Sequence, residues 1–322
     1  MQELDAARIR RLIWLVVALA AGWSLLFALA AAFWGGGALP DGTASIGPML
    51  ATVTVALFAM NHLLRFVRWQ LMLRAEGQFV PWRRSLSIFM AGLALLPTPA
   101  KAGVAARSLL LLSEGVPAHV SLAAYFAERL LDLVGLLILA SVLLGGAVAL
   151  NRWILASSVA AAGMVLIVAA PAALRASRAR VERFPRLARP MDWLIRCFAD
   201  AAEMLAAWRL PVFLAIGMAA NFLSALILWI AVHGPGRSIE LSQATGVLAV
   251  SHLSGSISLL PAGLGGFELA MLTLLSSMGI DAPDALRAMW LVRMVTLWGS
   301  VAVGLPLLAI GLRRVLARRA AH

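Results

Sequence analysis

The sequence predicts an all-α integral membrane protein: six full transmembrane helices plus two oppositely oriented re-entrant helical hairpins forming an inverted repeat. Three features carry that expectation: a composition too apolar for water, a lopsided distribution of arginine, and two similar stretches broken by proline and glycine. Of the 322 residues, 62% are hydrophobic and 13% charged, where a soluble domain carries about 25% charged residues. The mean hydropathy is +0.92. A transmembrane barrel would instead show short segments of alternating polarity.

Crossing the roughly 30 Å hydrocarbon layer takes about 20 helical residues, and uncharged runs of that length recur. The first, Leu12–Trp34, is longer than the ~7–15-residue core of a signal peptide. It is therefore read as a retained helix, although Ala28-Leu29-Ala30 resembles a cleavage site. Thr43–Leu64, Trp153–Leu174, Leu210–Gly236 and Met294–Leu312 are further spans. Leu133–Asn151 is extended on its N-terminal side by a helical segment holding Glu128, Arg129 and Asp132. Within a linker at 175–209, Met191, Leu194, Ile195, Phe198 and Leu205 recur at helical spacing among charges, which predicts a cytoplasmic interfacial helix. No stretch reads as a separate soluble domain, so residues 1–322 form a single polytopic membrane domain. The one cysteine, Cys197, excludes an intramolecular disulfide framework and any multi-cysteine metal site.

A net charge of +12 raises the question of nucleic acid, and its distribution answers it. Twenty of the 27 Lys and Arg residues fall in four segments: 1–11, 65–84, 175–209 and the tail from Arg313. The first two include Arg8, Arg10 and Arg11, then Arg65, Arg68, Arg74, Arg83 and Arg84. The connections between the segments carry Arg152 and Arg237, with Asp41, Glu240, Asp281 and Asp284 nearby. This is the positive-inside pattern, with all four basic segments cytoplasmic. It predicts a multi-pass protein of the bacterial inner (cytoplasmic) membrane with both termini inside, and needs no nucleic-acid partner.

Residues 95–132 align without gaps on 259–296 at a constant offset of 164, with 12 of 38 positions identical. Pro97/Pro261, Gly115/Gly279 and Arg129/Arg293 are among them. Each copy reads as a hairpin plus a helix, over 85–147 and 242–312. The first is interrupted by Pro97, Pro99 and Gly103, the second by Pro261, Gly263, Gly265 and Gly266. If both broken elements crossed the bilayer, the eight arginines of 175–209 would lie outside while the tail stayed inside. Two re-entrant hairpins instead place every basic segment in the cytoplasm, and their tips are expected to meet near the midplane. Irregular backbone at that depth lines a cavity or is buried by protein. Inverted repeats with broken helices mark a transport site.

Ionisable groups at membrane depth are expensive. Lys101, Arg107, Glu128, Arg129, Glu268 and Arg293 are therefore candidate substrate-binding residues around a polar cavity. The basic members suit an anionic head group such as a lipid phosphate, because the guanidinium fork donates two parallel hydrogen bonds. The helix N-termini at 101–104 and 264–267 add N–H donors. The competing reading pairs these charges to lock the hairpins, for example Glu268 with Arg107 and Asp132 with Arg129. His252 and the serines around it suit helix–helix hydrogen bonding, and Asn61 and His62 read as interfacial. No H-E-x-x-H, P-loop or dinucleotide fingerprint is present, so no catalytic residue, metal or cofactor is expected and the chain does not read as an enzyme.

Together, PTPAKAGVAARSLLL, AERLLDL (127–133) and LLPAGLGGFE resemble the lysylphosphatidylglycerol synthase transmembrane, or flippase-like, membrane domain family, which includes hopanoid-biosynthesis-associated relatives. The resemblance covers roughly residues 10–315. Pro97, Gly103, Arg107, Glu128, Arg129, Pro261, Gly265, Gly266 and Glu268 match the family pattern, and Val104 departs from it where a Glu is usual. Bifunctional members continue into a soluble aminoacyl-transferase domain, which is not expected here, so lipid aminoacylation is not expected either. The resemblance implies translocation of a lipid between leaflets. The alternative is a membrane enzyme or accessory subunit of polyprenyl, hopanoid or glycolipid biosynthesis, with Glu268 or Glu128 as general base. The expected partner is a membrane lipid: a phospholipid, a polyprenyl-phosphate-linked lipid or a hopanoid-type lipid. A homodimer or a lipid-biosynthesis partner protein remains open.

Overall fold

The computed structural model describes residues 48–97, 102–141, 185–206, 208–233, 239–258 and 261–320. The expected spans Leu12–Trp34 and Trp153–Leu174, and the break residues Pro99 and Lys101, lie outside the described residues. Among the described residues the regular elements are all helical. In chain order they are α1 (Pro48–Ala75), α2 (Trp82–Leu93), α3 (Ala102–Leu112), α4 (Ala118–Ser141), α5 (Pro185–Met204), α6 (Arg209–Val232) and α7 (Leu241–Ile257). A 3-10 turn at Pro261–Gly263 follows, then α8 (Gly266–Ser277) and α9 (Ala282–Arg293). A π-helical turn, Met294–Trp298, joins α9 to α10 (Gly299–Ala320) without a break. Two stretches, Arg209–Val232 and Ala282–Val315, are long and apolar enough to cross a membrane, with mean hydropathies of 2.1 and 1.9.

The two ends of the bundle differ in charge. Arg74, Arg83, Arg84, Arg209, Arg313 and Arg314 gather where α1 and α10 finish and where α2 and α6 begin. Glu240, Asp281 and Asp284 mark the opposite end, where α7 and α9 begin. Helix α1, about 42 Å long at 1.5 Å per residue, lies antiparallel to α6. Asn61 Nδ2 crosses between them, donating to Ala220 O at 2.5 Å and to Ser224 Oγ at 2.8 Å. The turn from α1 into α2 is fixed by Gln70, which donates to Val80 O at 3.1 Å and accepts from the Ser85 hydroxyl.

Helices α2 and α3 fold back on each other from the basic end, and Arg84 Nη1 meets Glu114 Oε2 across their open end at 2.6 Å. Helices α7 and α8 fold back from the opposite end. Their contacts pair Ser254 with Gly266, Gly255 with Gly263 and His252 with Phe267, so residue numbers rise on one arm as they fall on the other. The two arms approach closely because these positions carry almost no side chain. A Cβ on Gly266 would lie 2.6 Å from Ser254 O, and one on Gly263 would lie 2.8 Å from Gly255 Cα.

The helix–turn–helix joins of the two similar stretches make the same hydrogen bonds. Val116 N donates to Leu111 O at 3.1 Å, and Ile280 N to Leu275 O at 3.1 Å. Gly115 (φ +86°) and Gly279 (φ +80°) supply the left-handed residue at each helix C-terminus. These atoms are related by the offset of 164 read from the sequence. The expected meeting of the hairpin tips falls on 98–101 and 259–260, which lie outside the described residues. Among the described residues neither arm of one packs extensively on the other, and both instead contact the continuous α9–α10 helix. Arg293 of that helix reaches Ala262 in the second break, while Gly304 meets Met90 and Ala94 at the end of α2. Those two positions are eleven residues apart, about 16 Å along the helix.

The amphipathic α5 docks on α4 rather than standing alone. Ile195, Cys197, Ala201 and Met204 are buried, Phe198 stacks on Phe126, and His119 Nδ1 lies 2.6 Å from Asp200 Oδ2. Leu194, expected on the apolar face, is exposed, and Met191's side chain is outside the described set.

Two outcomes follow from this packing. Gly304→Val drives a branched side chain against backbone, since even a Cβ would lie 2.6 Å from both Ala94 N and Met90 O. Overpacking of this kind costs about 1–3 kcal/mol, so the variant unfolds at lower temperature in detergent. Glu76, in the turn after α1, has its carboxyl pushed up to about 7, by burial first and then by Asp200 and Glu203. A carboxyl raised in the folded state stabilises while protonated. The contribution is full below its ordinary value of 4.5 and is lost as pH rises through about 7. Glu76→Gln should therefore raise the melting temperature at pH 8 and leave it nearly unchanged at pH 5.

Candidate functional site

The middle of the bundle holds a cluster of arginines around two carboxylates. Glu128 and Asp132 lie four residues apart on α4 and so share a face. Both are buried. Asp132 Oδ1 accepts from Arg68 Nη2 at 2.7 Å, and its Oδ2 takes Arg65 Nη1 at 3.2 Å and Arg129 Nη2 at 3.1 Å. Glu128 lies between Arg68 Nη2 at 3.5 Å and Arg107 Nη1 at 3.3 Å. Arg65 is further held by Asn221 Oδ1 at 2.7 Å and Asn61 Oδ1 at 3.2 Å.

Each arginine reaches the cluster for a local reason. Arg68 is completely buried, and its guanidinium fits only because Gly217 of α6 has no side chain. A Cβ there would lie 2.3 Å from Arg68 Nη1. Arg107 lies over the rings of Phe89 and Trp69, at 4.7 and 5.3 Å from their centroids, a cation–π setting that compensates partly for lost water. Arg129 leans on Tyr125 at 5.6 Å and keeps 45% of its side chain exposed.

The local charge is unbalanced. Four guanidinium groups (Arg65, Arg68, Arg107, Arg129) face two carboxylates, so 4 − 2 leaves +2 among the described residues. The buried side-chain atoms left without a hydrogen-bond partner here are Arg68 Nε and Nη1, Arg107 Nε and Asn221 Nδ2. All are donors. A buried donor without an acceptor is costly, and the group that would satisfy this set is an acceptor carrying negative charge.

Glu268 and Arg293 form a separate centre at the second break. Arg293 Nε donates to Glu268 Oε1 at 2.7 Å and Nη1 to Ala262 O at 3.1 Å. The guanidinium lies 3.9 Å from the Phe267 ring centroid. Among the described residues Ala262 is the non-glycine residue with positive φ (+55°), followed by Gly263 at +68° and Gly265 at +77°. Arg293 thus clasps a left-handed backbone turn while neutralising the carboxylate beside it. The π turn begins at the next residue, a distortion common at functional sites. His252 packs edge-on against Phe267, with the ring centroids 4.9 Å apart.

The arrangement departs from the sequence reading in four ways. Arg65 and Arg68, assigned to a cytoplasmic basic segment, are drawn into the bundle because α1 continues past Leu64 and turns them toward α4. Asn61 and His62 are buried rather than interfacial, with His62 Nε2 placed 2.9 Å from Ser300 Oγ. Glu268 pairs with Arg293, not with Arg107, whose partner is Glu128. Finally, Arg107, Glu128 and Arg129 come together, whereas Glu268 and Arg293 form their own centre. Gly103 and Pro97 flank the first break, at the start of α3 and just past the end of α2. A polar residue inside the uncharged run of α6, Asn221, was the signal available for the missed part of the site.

Residues 13–304 match the family described as the lysylphosphatidylglycerol synthase TM region. The chain belongs to that family. Membership makes it a membrane protein related to lipid metabolism or transport, in keeping with its apolar helices. A comparison with curated proteins finds no match.

Removing the shared anion should expose the imbalance. Asp132→Asn leaves three arginines with a weakened partner. Breaking a buried pair costs about 3–5 kcal/mol. The loss of thermal stability in detergent should exceed that of Arg129→Gln, because Arg129 is half-exposed and its charge is partly screened.

Proposed function

We propose that the protein moves an amphipathic, anionic or phosphate-bearing lipid between the leaflets of the bacterial inner membrane. The single observation that carries this reading is the surplus of buried guanidinium donors. Among the described residues, Arg68 and Arg107 keep N–H groups aimed at no acceptor, at a centre with two more cations than anions. A lipid phosphate supplies both the charge and the acceptor oxygens. The half-exposed Arg129 offers the route inward, and the tails remain in the bilayer.

Alternating exposure of this cluster would come from movement of the two hairpins, whose open ends lie at opposite ends of the bundle. That orientation supports an inverted repeat with six crossings, two re-entrant elements and both termini cytoplasmic. The alternative use of Glu128 or Glu268 as general base is disfavoured by their surroundings, since each carboxylate is ion-paired to buried arginine.

In liposomes, the purified protein should equilibrate a labelled anionic lipid across the bilayer without changing its mass. A charge-assisted hydrogen bond is worth about 1.5–3 kcal/mol, so Arg107→Gln should slow the exchange by about tenfold or more. A zwitterionic probe should be affected less. A product of altered mass with no exchange, or full exchange by Arg107→Gln, would sink the reading.

A further inference from the structure

At the basic end, away from the arginine cluster and sharing no residue with it, a cavity of about 130 Å³ opens between the α2–α3 hairpin and α10. Its rim carries Arg84, Ser87, Glu114 and Arg314, and its wall is built from Ile88, Leu110 and Ile310. Gly311 deepens it, since a Cβ there would lie 3.0 Å from Leu110 Cδ2. At ~10–15 Å³ per water, the space takes a compact polar head group and not a whole lipid.

The charges on the rim select the sign of the occupant. Arg84 Nη1 is engaged by Glu114 Oε2 at 2.6 Å, which leaves the Nε and Nη2 donors of its half-exposed side chain. Arg314 is exposed and has no ion-pair partner among the described residues. Among the described residues two cations and one anion leave +1, so the site complements a single negative charge. The hydroxyls of Ser87 and Ser113 already donate to Arg83 O and Leu110 O, so the arginines are the donors available. Below the rim, Ile310 and Val303 are 45% and 42% exposed. Lying seven residues apart, they share one face of α10. That face continues from the cavity along the helix, where an acyl chain has apolar surface to cover.

We propose that this cleft binds an anionic phosphodiester lipid, with its phosphate between Arg314 and the free donors of Arg84 and one acyl chain along Val303 and Ile310. The bound lipid bridges the hairpin to α10 at the place where Gly304 and Gly311 already bring them together. It is a peripheral site, distinct from the buried cluster, and stands whether or not that cluster passes lipid.

The test is native mass spectrometry of the full-length protein in detergent, titrated separately with phosphatidylglycerol and phosphatidylethanolamine. Losing one arginine–phosphate contact should weaken retention of one phosphatidylglycerol by about tenfold in Arg314→Gln. Arg314→Lys should recover part of it, and phosphatidylethanolamine should bind this site about tenfold more weakly than phosphatidylglycerol. Arg313→Gln, one residue away and outside the cleft, should leave retention unchanged. Phosphatidylglycerol should raise the melting temperature of the wild type more than that of Arg314→Gln, with both alike in its absence. Equal losses from Arg313→Gln and Arg314→Gln would reduce the effect to general surface attraction and overturn the proposal. So would equal binding of the two lipids, or retention undiminished in Arg314→Gln.

Discussion

Asp132 carries three guanidinium groups, two from α1 and one from its own helix, and much of the bundle is arranged to make that possible. An arginine removed from water needs an anion or a full set of acceptors, because the cost of leaving it bare exceeds most packing gains. Arg68 can be fully buried only because α4 presents Asp132 and Glu128 on one face and α6 presents Gly217 opposite. The position of α1 against both helices is thus constrained by charge as much as by apolar contact. Asn61 and Asn221 complete the frame by holding Arg65 from two sides.

Arg129 and Arg293, matched in the alignment of the two similar stretches, have different surroundings. Arg129 leans outward, half-exposed, and shares Asp132 with two other cations. Arg293 is buried, pairs with a carboxylate of its own and holds the carbonyl of Ala262 in the second break. The difference follows from neighbours. In the second stretch an acidic residue, Glu268, sits in the first turn of α8, while the first stretch has Val104 at the aligned position. With no carboxylate on α3, Arg107 meets Glu128 of the acidic pair on α4. One centre therefore has charge to spare and the other is nearly neutral.

Small residues decide how closely the hairpins can pack. Gly255, Gly263 and Gly266 let the arms of the second hairpin touch through backbone, and Gly304 does the same between α2 and α10. Such contacts are favoured in membranes, where apolar side chains gain little by leaving lipid and close backbone approach supplies the dispersion energy. The continuous α9–α10 helix consequently serves both hairpins, touching the second break at Arg293 and the end of α2 at Gly304.

The sequence by itself determined the helical membrane class, the segregation of arginine to one end, the position of both breaks and the constant offset between the two stretches. It did so because each depends on composition or spacing along the chain. Arg107, Glu128, Glu268 and Arg293 could be singled out for the same reason: they are charges within otherwise apolar surroundings. The tertiary structure alone decided which charges meet. Arg65 and Arg68 sit among other arginines in the sequence and look like a solvated basic segment. Only the length of α1 and the carboxylates on α4 turn them inward. Likewise Glu268 could have taken Arg107 or Arg293, and the choice fell to Arg293 because α8 and α9 fold back on each other. Partner choice depends on distances between helices remote in sequence, and helical spacing along a single chain does not contain them.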